Sequence, residues 1–496
     1  MKKKFLKITA FLLAVVIILT GSYYVLNFKY IETNFKLKKF YELEDNTVDI
    51  LTLGSSHMYE GLNTAVLWRE YGYTAFNLGG SVQPVWNTYY YLEEALKTQK
   101  PKIVILDTYM FHLSNDYDST SNAIKNTYGL KWSETKIEAI KESFDMEEYG
   151  YQFFFEILQY HSRYSDLGKK DFYPDLSNSA MYKNHKGFYC SFSSTEIKER
   201  YLSDVTACEP LSEKTEKYYR KIIELAQSNN IELIVTAVPF EAAPYNEAIV
   251  NSAKVIADEY NVPVYDFLSD YKSDLDIDYS TDFANTQHLN HKGNTKLTRF
   301  FGNLFKEKYN ITDKRGDEKY DSWEKDANVY YMQLHNSNVA KIDTLSDYTE
   351  VFNSDQYIII VTSSFNDYDS LSNTIKNATS DFFDKINIDK KEYMQGGMWV
   401  FEKGKYDYYN SCDSESFSKT IRLDKFNTAC VKNTVNVLAK KDENEEEKTV
   451  ITKSIHVNKN DYTKASMGIN ICVYDRLTQT VIDSVCYNYV NGKFSR

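Results

Sequence analysis

A basic surface is what this sequence most plainly lacks. Its 496 residues carry 58 Lys and Arg against 70 Asp and Glu, a formal net charge of -12. Beyond Lys2, Lys3 and Lys4 there is no lysine-rich or arginine-rich patch. Phosphate-backbone binding needs such a surface, so nucleic acid is excluded as the main partner. Phosphate-cradling glycine patterns are missing too: the turn at Gly54, GSSH, matches neither G-x-G-x-x-G nor the P-loop. No C-x-x-C and no Cys/His cluster points to zinc or redox work. No metal or organic cofactor is therefore expected. No internal repeat is visible, and after the N-terminal segment no second apolar run of about 18 residues occurs.

What is present starts with that segment. Residues Ile8 to Leu26, ITAFLLAVVIILTGSYYVL, are uncharged and approach the length of a bilayer core. The basic flank Lys2–Lys4 stays in the cytoplasm and sends the rest outside. No small-x-small cleavage site follows, and Tyr23 and Tyr24 read as interfacial anchors. Residues 1–30 are thus expected to be a single-pass signal anchor in the cell membrane. Six cysteines, Cys190, Cys208, Cys412, Cys430, Cys472 and Cys486, fit an exported chain with disulfides between neighbours, connectivity left open. The 43 tyrosines suit a sugar-binding surface or serve as general core filler.

At roughly 100 to 200 residues per domain, the length allows two to four domains. The run VDILTLGSSHM, residues 48–58, reads as a buried strand broken by Gly54, with Ser56 just past the turn. Short strands follow at Phe76–Leu78 and Ile103–Leu106, with a helix over 86–97 between them. Residues 132–167 and 195–228 read as helical and 168–192 as a Tyr/Asn/Ser-rich loop. IELIVTAVP (231–239) and VPVYDFL (262–268) are further strands flanking a helix over 244–260. Alternating strand and helix implies a mainly parallel α/β sheet. A helix with Leu297, Phe300, Phe301, Leu304 and Phe305 on its apolar face ends the domain, 31–312. Residues 313–328 read as a charged linker and 329–496 as a separate β-rich α/β module, with an acidic solvated loop at 441–448.

A serine hydroxyl needs a base, a group that orients the base, and donors for an oxyanion. Ser56 is the nucleophile candidate and His288 the base, more than 200 residues later. Asp282 and Asn285 both lie just upstream of the histidine, and either can be the third member. Gly80 and the Ser56 amide are the expected oxyanion donors. Asp107 ends a buried strand, where open α/β sheets place site residues. His57 and His291 read as surface residues. His161 and Arg163 lie where an insert could cover the site and meet an anionic substrate.

The GSSH block and the HLN-x-x-G block near residue 290 resemble the SGNH, or GDSL-like, hydrolase superfamily. Within it, the chain resembles the membrane-anchored group that includes the D-alanyl transfer protein of teichoic acid synthesis and the alginate O-acetylation proteins. The resemblance implies a flavodoxin-like parallel sheet flanked by helices. It implies Ser56 as nucleophile, His288 as base, the block Asn77-Leu78-Gly79-Gly80 with Gly80 donating to the oxyanion, and Asp107 or Asn77 near substrate. Asn285 stands where the family usually has aspartate, and the third block lacks the family's Gly-x-Asn-Asp pattern. The stretches YIIIVTSSFNDYDSL and GINICVYDRLTQTVIDSVCYNY resemble segments of the interleukin-like EMT inducer domain, in reversed order, which implies glycan binding or docking. The expected activity is serine-dependent O-acyl transfer or ester hydrolysis on a cell-surface polysaccharide or teichoic-acid-like polymer, with a multi-spanning membrane O-acyltransferase as partner. The alternative is a catalytically degenerate relative acting as a glycan-binding or assembly protein.

Overall fold

The apolar run after Val48 is the pivot of a parallel sheet in the computed structural model of the chain. That structure describes residues 2–27, 35–117, 119–149, 152–153, 158, 160–172, 185–269, 275–410, 416–425, 427–438 and 448–496. The chain forms two compact units, Met1–Tyr330 and Tyr331–Arg496.

The first unit begins with the helix Lys2–Leu26. Its segment Lys4–Leu26 is long and apolar enough to cross a membrane, and its apolar side chains are exposed. Five strands follow: β1 (Ile50–Leu53), β2 (Ala75–Asn77), β3 (Ile103–Asp107), β4 (Glu232–Ala237) and β5 (Val264–Asp266). All pairings are parallel, in the order β2-β1-β3-β4-β5. This is the mainly parallel α/β sheet expected from the strand–helix alternation. Every residue of β1 and β3 is buried, so these strands read as continuous apolar runs. The strand order reverses between β1 and β3, and such a switch point leaves a crevice at the carboxyl ends of the strands. The residues following β1 and β3 therefore open onto one place.

The crossover helices form because apolar residues recur at helical spacing. In Glu213–Ser228, Thr215, Tyr218, Tyr219, Ile222, Ile223 and Ala226 are buried on one stripe, and Ser212 caps the start by accepting the Thr215 N–H. In His291–Lys308, Leu297, Phe301, Leu304 and Phe305 face the core, while Phe300 is half-buried.

Three expectations are corrected. Residues 195–212 are not helical; the helix starts only at Glu213. The Thr195 and Ile197 N–H groups donate instead to the Phe283 and Tyr279 carbonyls, so tertiary pairing overrides local helical pattern. The stretch 313–328 is not a bare linker, because its last eight residues, 321–328, open the helix Asp321–Val339. Trp323 in that helix is 2% exposed and donates its indole N–H to the Ala75 carbonyl at 3.1 Å. The expected disulfides are not formed among the described residues. Cys190, Cys208, Cys430, Cys472 and Cys486 are free thiols, and Cys412 lies outside the described residues. Cys486 pairs with Asn470 and Cys472 with Ser484, which sets the two cysteines diagonally. Diagonal neighbours lie about 7–8 Å apart, too far for a disulfide.

The second unit has a six-stranded antiparallel sheet in the order β15-β14-β13-β6-β7-β8: β6 (Tyr357–Ser364), β7 (Gly397–Glu402), β8 (Lys405–Asn410), β13 (Gly468–Asp475), β14 (Thr480–Asn488) and β15 (Lys493–Ser495). A four-stranded sheet has the order β12-β11-β10-β9: β9 (Phe417–Arg422), β10 (Thr428–Leu438), β11 (Lys448–Val457) and β12 (Asn460–Asp461). The period-2 pattern of β13 serves two cores at once. Ile469, Ile471 and Val473 pack with Phe382 and Phe383 of the helix Asn373–Lys385, whereas Cys472 and Tyr474 pack with Val431 of β10 and Ile455 of β11. The six-stranded sheet is thus the middle layer. All but the last residue of the acidic run 441–448 lies outside the described residues.

Trp323→Ala removes a fully packed side chain and leaves the Ala75 carbonyl without its donor. A loss of about 3–5 kcal/mol is expected, read by urea denaturation followed through Met1–Tyr330 tryptophan fluorescence. A loss below about 1 kcal/mol would show that the helix is not anchored on β2.

Candidate active site

Gly54 ends β1 with φ +137°, a backbone region that side chains rarely adopt. A Cβ there would come 2.9 Å from the Asp107 Cβ at the end of β3. Only glycine lets the two strand ends approach so closely. Ser55 then caps the short helix Ser56–Gly61, accepting the His57 N–H and donating its hydroxyl to Asp107 at 3.4 Å. Ser56 is the first helical residue, so its N–H has no partner within the helix.

The opposing loop comes from 200 residues further on. Phe283 and Leu289 form a β-bridge, and the Ala284 N–H donates to the His288 carbonyl at 2.8 Å. Asn290 clamps the loop: it caps the helix His291–Lys308, and its Nδ2 donates to the Ser193, Thr281 and Phe283 carbonyls. On this loop His288 Nε2 stands 2.9 Å from Ser56 Oγ. His288 Nδ1 stands 3.1 Å from Asn285 Oδ1. The same Oδ1 accepts the Gln287 and His288 N–H groups, so it is the amide oxygen and Nδ1 carries the proton. That tautomer leaves the Nε2 lone pair facing the Ser56 hydroxyl. Burial holds the imidazole down at about 4, so it is neutral and able to accept a proton at physiological pH.

The structure brings Ser56, His288 and Asn285 together and places the other expected site residues elsewhere. Asp282 does not touch the imidazole. It is buried, ion-paired to Lys296 at 2.8 Å, and accepts the Asp278 N–H and the Thr281 hydroxyl. It braces the loop. The Gly80 N–H is directed to the Gly54 carbonyl at 3.1 Å, so it holds the turn and does not face an oxyanion. Asn77 is fully buried; it donates to the Met58 carbonyl and accepts the Gly79 N–H, joining the second block to the serine helix. Asp107 is buried against the turn and contacts Ser55. Arg163 donates to the Leu26 and Asn27 carbonyls at 2.7 and 2.9 Å and pairs with Asp171 at 2.7 Å. It caps the C-terminal end of the N-terminal helix, where a cation suits the helix dipole. His161 opens the short helix His161–Ser165, and its side chain lies outside what is described.

A cleft of about 330 Å³ opens over the Ser56–His288 pair. His57, expected on the surface, is 2% exposed and forms its wall, stacked on Tyr109 at 3.5 Å and 15°. Val82 also lines the cleft, with φ +50°, an unusual conformation for a β-branched residue. Tyr109 and Gln287 hydrogen-bond across the cleft mouth at 3.0 Å. Sequence reading missed both, although Tyr109 lies two residues past the end of β3, where the topology aims site residues.

Solved structures of GDSL-like proteins are similar to this chain. A lipolytic protein of the G-D-S-L family from Desulfitobacterium hafniense DCB-2 is 14% identical, with 52% of this chain and 99% of that chain covered and a TM-score of 0.26. An acylhydrolase from Bacteroides fragilis NCTC 9343 is 13% identical, covering 57% and 99%, with a TM-score of 0.27. A GDSL-like lipase from Bacteroides thetaiotaomicron VPI-5482 is 11% identical, covering 56% and 99%, with a TM-score of 0.26. No family model matches the sequence, and no curated protein matches it.

Two outcomes are expected. Gly54→Ala forces the β1 and β3 ends apart and displaces Ser56; labelling by a serine-reactive acylating probe should fall roughly 100-fold, the cost of about 1 Å of misplacement. Asn285→Asp puts a charge beside Nδ1, so the His288 titration followed by NMR should move up from about 4. An unmoved titration would show that position 285 does not govern the ring.

Proposed function

We propose that the first unit transfers or removes acyl groups through a Ser56 acyl-enzyme. The observation that carries this reading is the 2.9 Å contact between Ser56 Oγ and His288 Nε2, with Asn285 holding the opposite ring nitrogen. As Oγ bonds to an ester or thioester carbonyl carbon, its proton passes to Nε2. The Ser56 N–H donates to the oxygen that becomes negative. The tetrahedral intermediate then expels the alcohol or thiol, which takes the proton back from Nε2. In the second half, water or a sugar hydroxyl gives its proton to Nε2 as it attacks the acyl carbon, and the departing Ser56 Oγ takes that proton back from Nε2. Hydrolysis and transfer differ only in that acceptor.

The N-terminal helix supports a membrane-bound, extracytoplasmic setting, with the basic flank inside. In that setting the acceptor is a cell-surface polysaccharide or a teichoic-acid-like polymer, and a multi-spanning O-acyltransferase supplies the acyl group. The β-rich second unit serves as a glycan-binding or docking module. A second reading is favoured by Gly80, whose N–H is engaged by Gly54: with one oxyanion donor fewer, the unit binds acylated glycan without turning it over.

Labelling of the membrane-bound chain with the acylating probe separates the two. Wild type should label, and Ser56→Ala and His288→Ala should lose at least about 100-fold. Equal labelling of all three would remove the catalytic reading and leave the binding one. Acyl release from a chromogenic ester, compared with and without added polysaccharide, then distinguishes transfer from hydrolysis.

A further inference from the structure

Glu60 lies one helical turn beyond Ser56, on the same face of the helix Ser56–Gly61. It is 7% exposed, and among the described residues no hydrogen bond reaches its carboxyl group. Its carboxyl group faces His288: Glu60 Oε1 stands 3.8 Å from Nε2, the nitrogen that faces Ser56. A carboxyl group buried without donors is costly to keep. Asn285, at the other ring nitrogen, orients the imidazole but brings no charge. The ring therefore has an orienting group on one side and an unpartnered acid on the other.

We propose that Glu60, once ionised, is the charge partner of His288, a positioning residue whose carboxylate stabilises the imidazolium formed when Nε2 takes the Ser56 proton, in place of the negative charge that Asn285 does not supply. This rests on the acyl-transfer reading of the same site. No bond to Glu60 forms or breaks: the serine proton moves to Nε2 and later to the leaving group, and Glu60 acts through the field it places at the ring. At 3.8 Å inside a partly closed site, a full charge is a strong perturbation of the ring.

The sign of the pH dependence follows. Burial pushes the Glu60 carboxyl up to about 8, so it is largely protonated at neutral pH and becomes a carboxylate above about 8. Only then does His288, held near 4 by its own burial, become a stronger base. The other ionisable groups nearby have distinct signatures. The His57 ring, 5.4 Å from His288, is held neutral well below its usual range by its burial, with His288 and then His112 adding to the effect. Burial pushes Asp107 up to about 7 beneath the turn, and burial, with Glu60 adding to it, pushes the Cys190 thiol up to about 12. Of these, only Asp107 titrates in a range close to that of Glu60, and the Glu60→Gln comparison separates the two.

The experiment compares wild type with Glu60→Gln, which keeps the shape of the side chain. In wild type the rate of probe labelling should rise roughly tenfold between about pH 7 and pH 9, with an inflection near 8. In E60Q that rise should be absent. Independently of turnover, the His288 ring resonances should show a step near pH 8 in wild type and none in E60Q. A step or inflection near 8 that survives in E60Q overturns the proposal. Failure of the acyl-transfer reading looks different: labelling is then insensitive to Ser56→Ala, while the His288 resonances still report on Glu60.

Discussion

The structure depends on one contact, the 2.9 Å approach of Ser56 Oγ to His288 Nε2. Two segments more than two hundred residues apart must each be rigid for it to exist. On the serine side rigidity comes from the lack of a side chain at Gly54, which lets the ends of β1 and β3 close on each other and lets Ser55 reach Asp107. On the histidine side it comes from Asn290, whose amide gathers three carbonyls while its oxygen caps the following helix. The sheet then sets the distance, because β1 and β3 lie at its switch point. Asn77, Gly80 and Asp282 all serve these two platforms. Each of them holds the backbone that holds the pair.

That division explains which parts of the site were legible in the sequence. Ser56 and His288 could be read because their roles need particular chemistry at particular places: a hydroxyl after a buried strand and an imidazole before a terminal helix. The parallel sheet could be read because β1, β3 and β4 are built mostly of buried apolar residues. The third member could not be chosen from spacing, since Asp282 and Asn285 are both within reach of the ring. Lys296, one turn into the next helix, takes Asp282 away, and that is a tertiary fact. Gly80 shows the same limit: whether its N–H faces substrate or the Gly54 carbonyl is set by backbone proximity, which composition does not encode. Residues 195–212 carry a pattern compatible with a helix, yet the Thr195 and Ile197 N–H groups find partners on the loop at 279–283.

The ionisable groups around the serine share one property that no single residue announces. His288 is neutral because burial holds it near 4, His57 is neutral for the same reason, and Glu60 is held protonated up to about 8. Burial likewise pushes Asp107 up to about 7, against the opposing pull of the hydrogen-bond donors around it. An ionised carboxylate beside the turn would oppose a negative oxygen developing over Ser56. Burial removes much of that opposition without removing the side chain that the Gly54 turn packs against. The same burial that weakens His288 as a base therefore also quiets its surroundings. Charge created in the cleft meets few fixed charges, and each group able to respond to it acts at short range in a medium that screens poorly. A turn built from one glycine and one half-neutral aspartate thus does two things together: it fixes where the hydroxyl sits, and it keeps the ground beneath it close to uncharged.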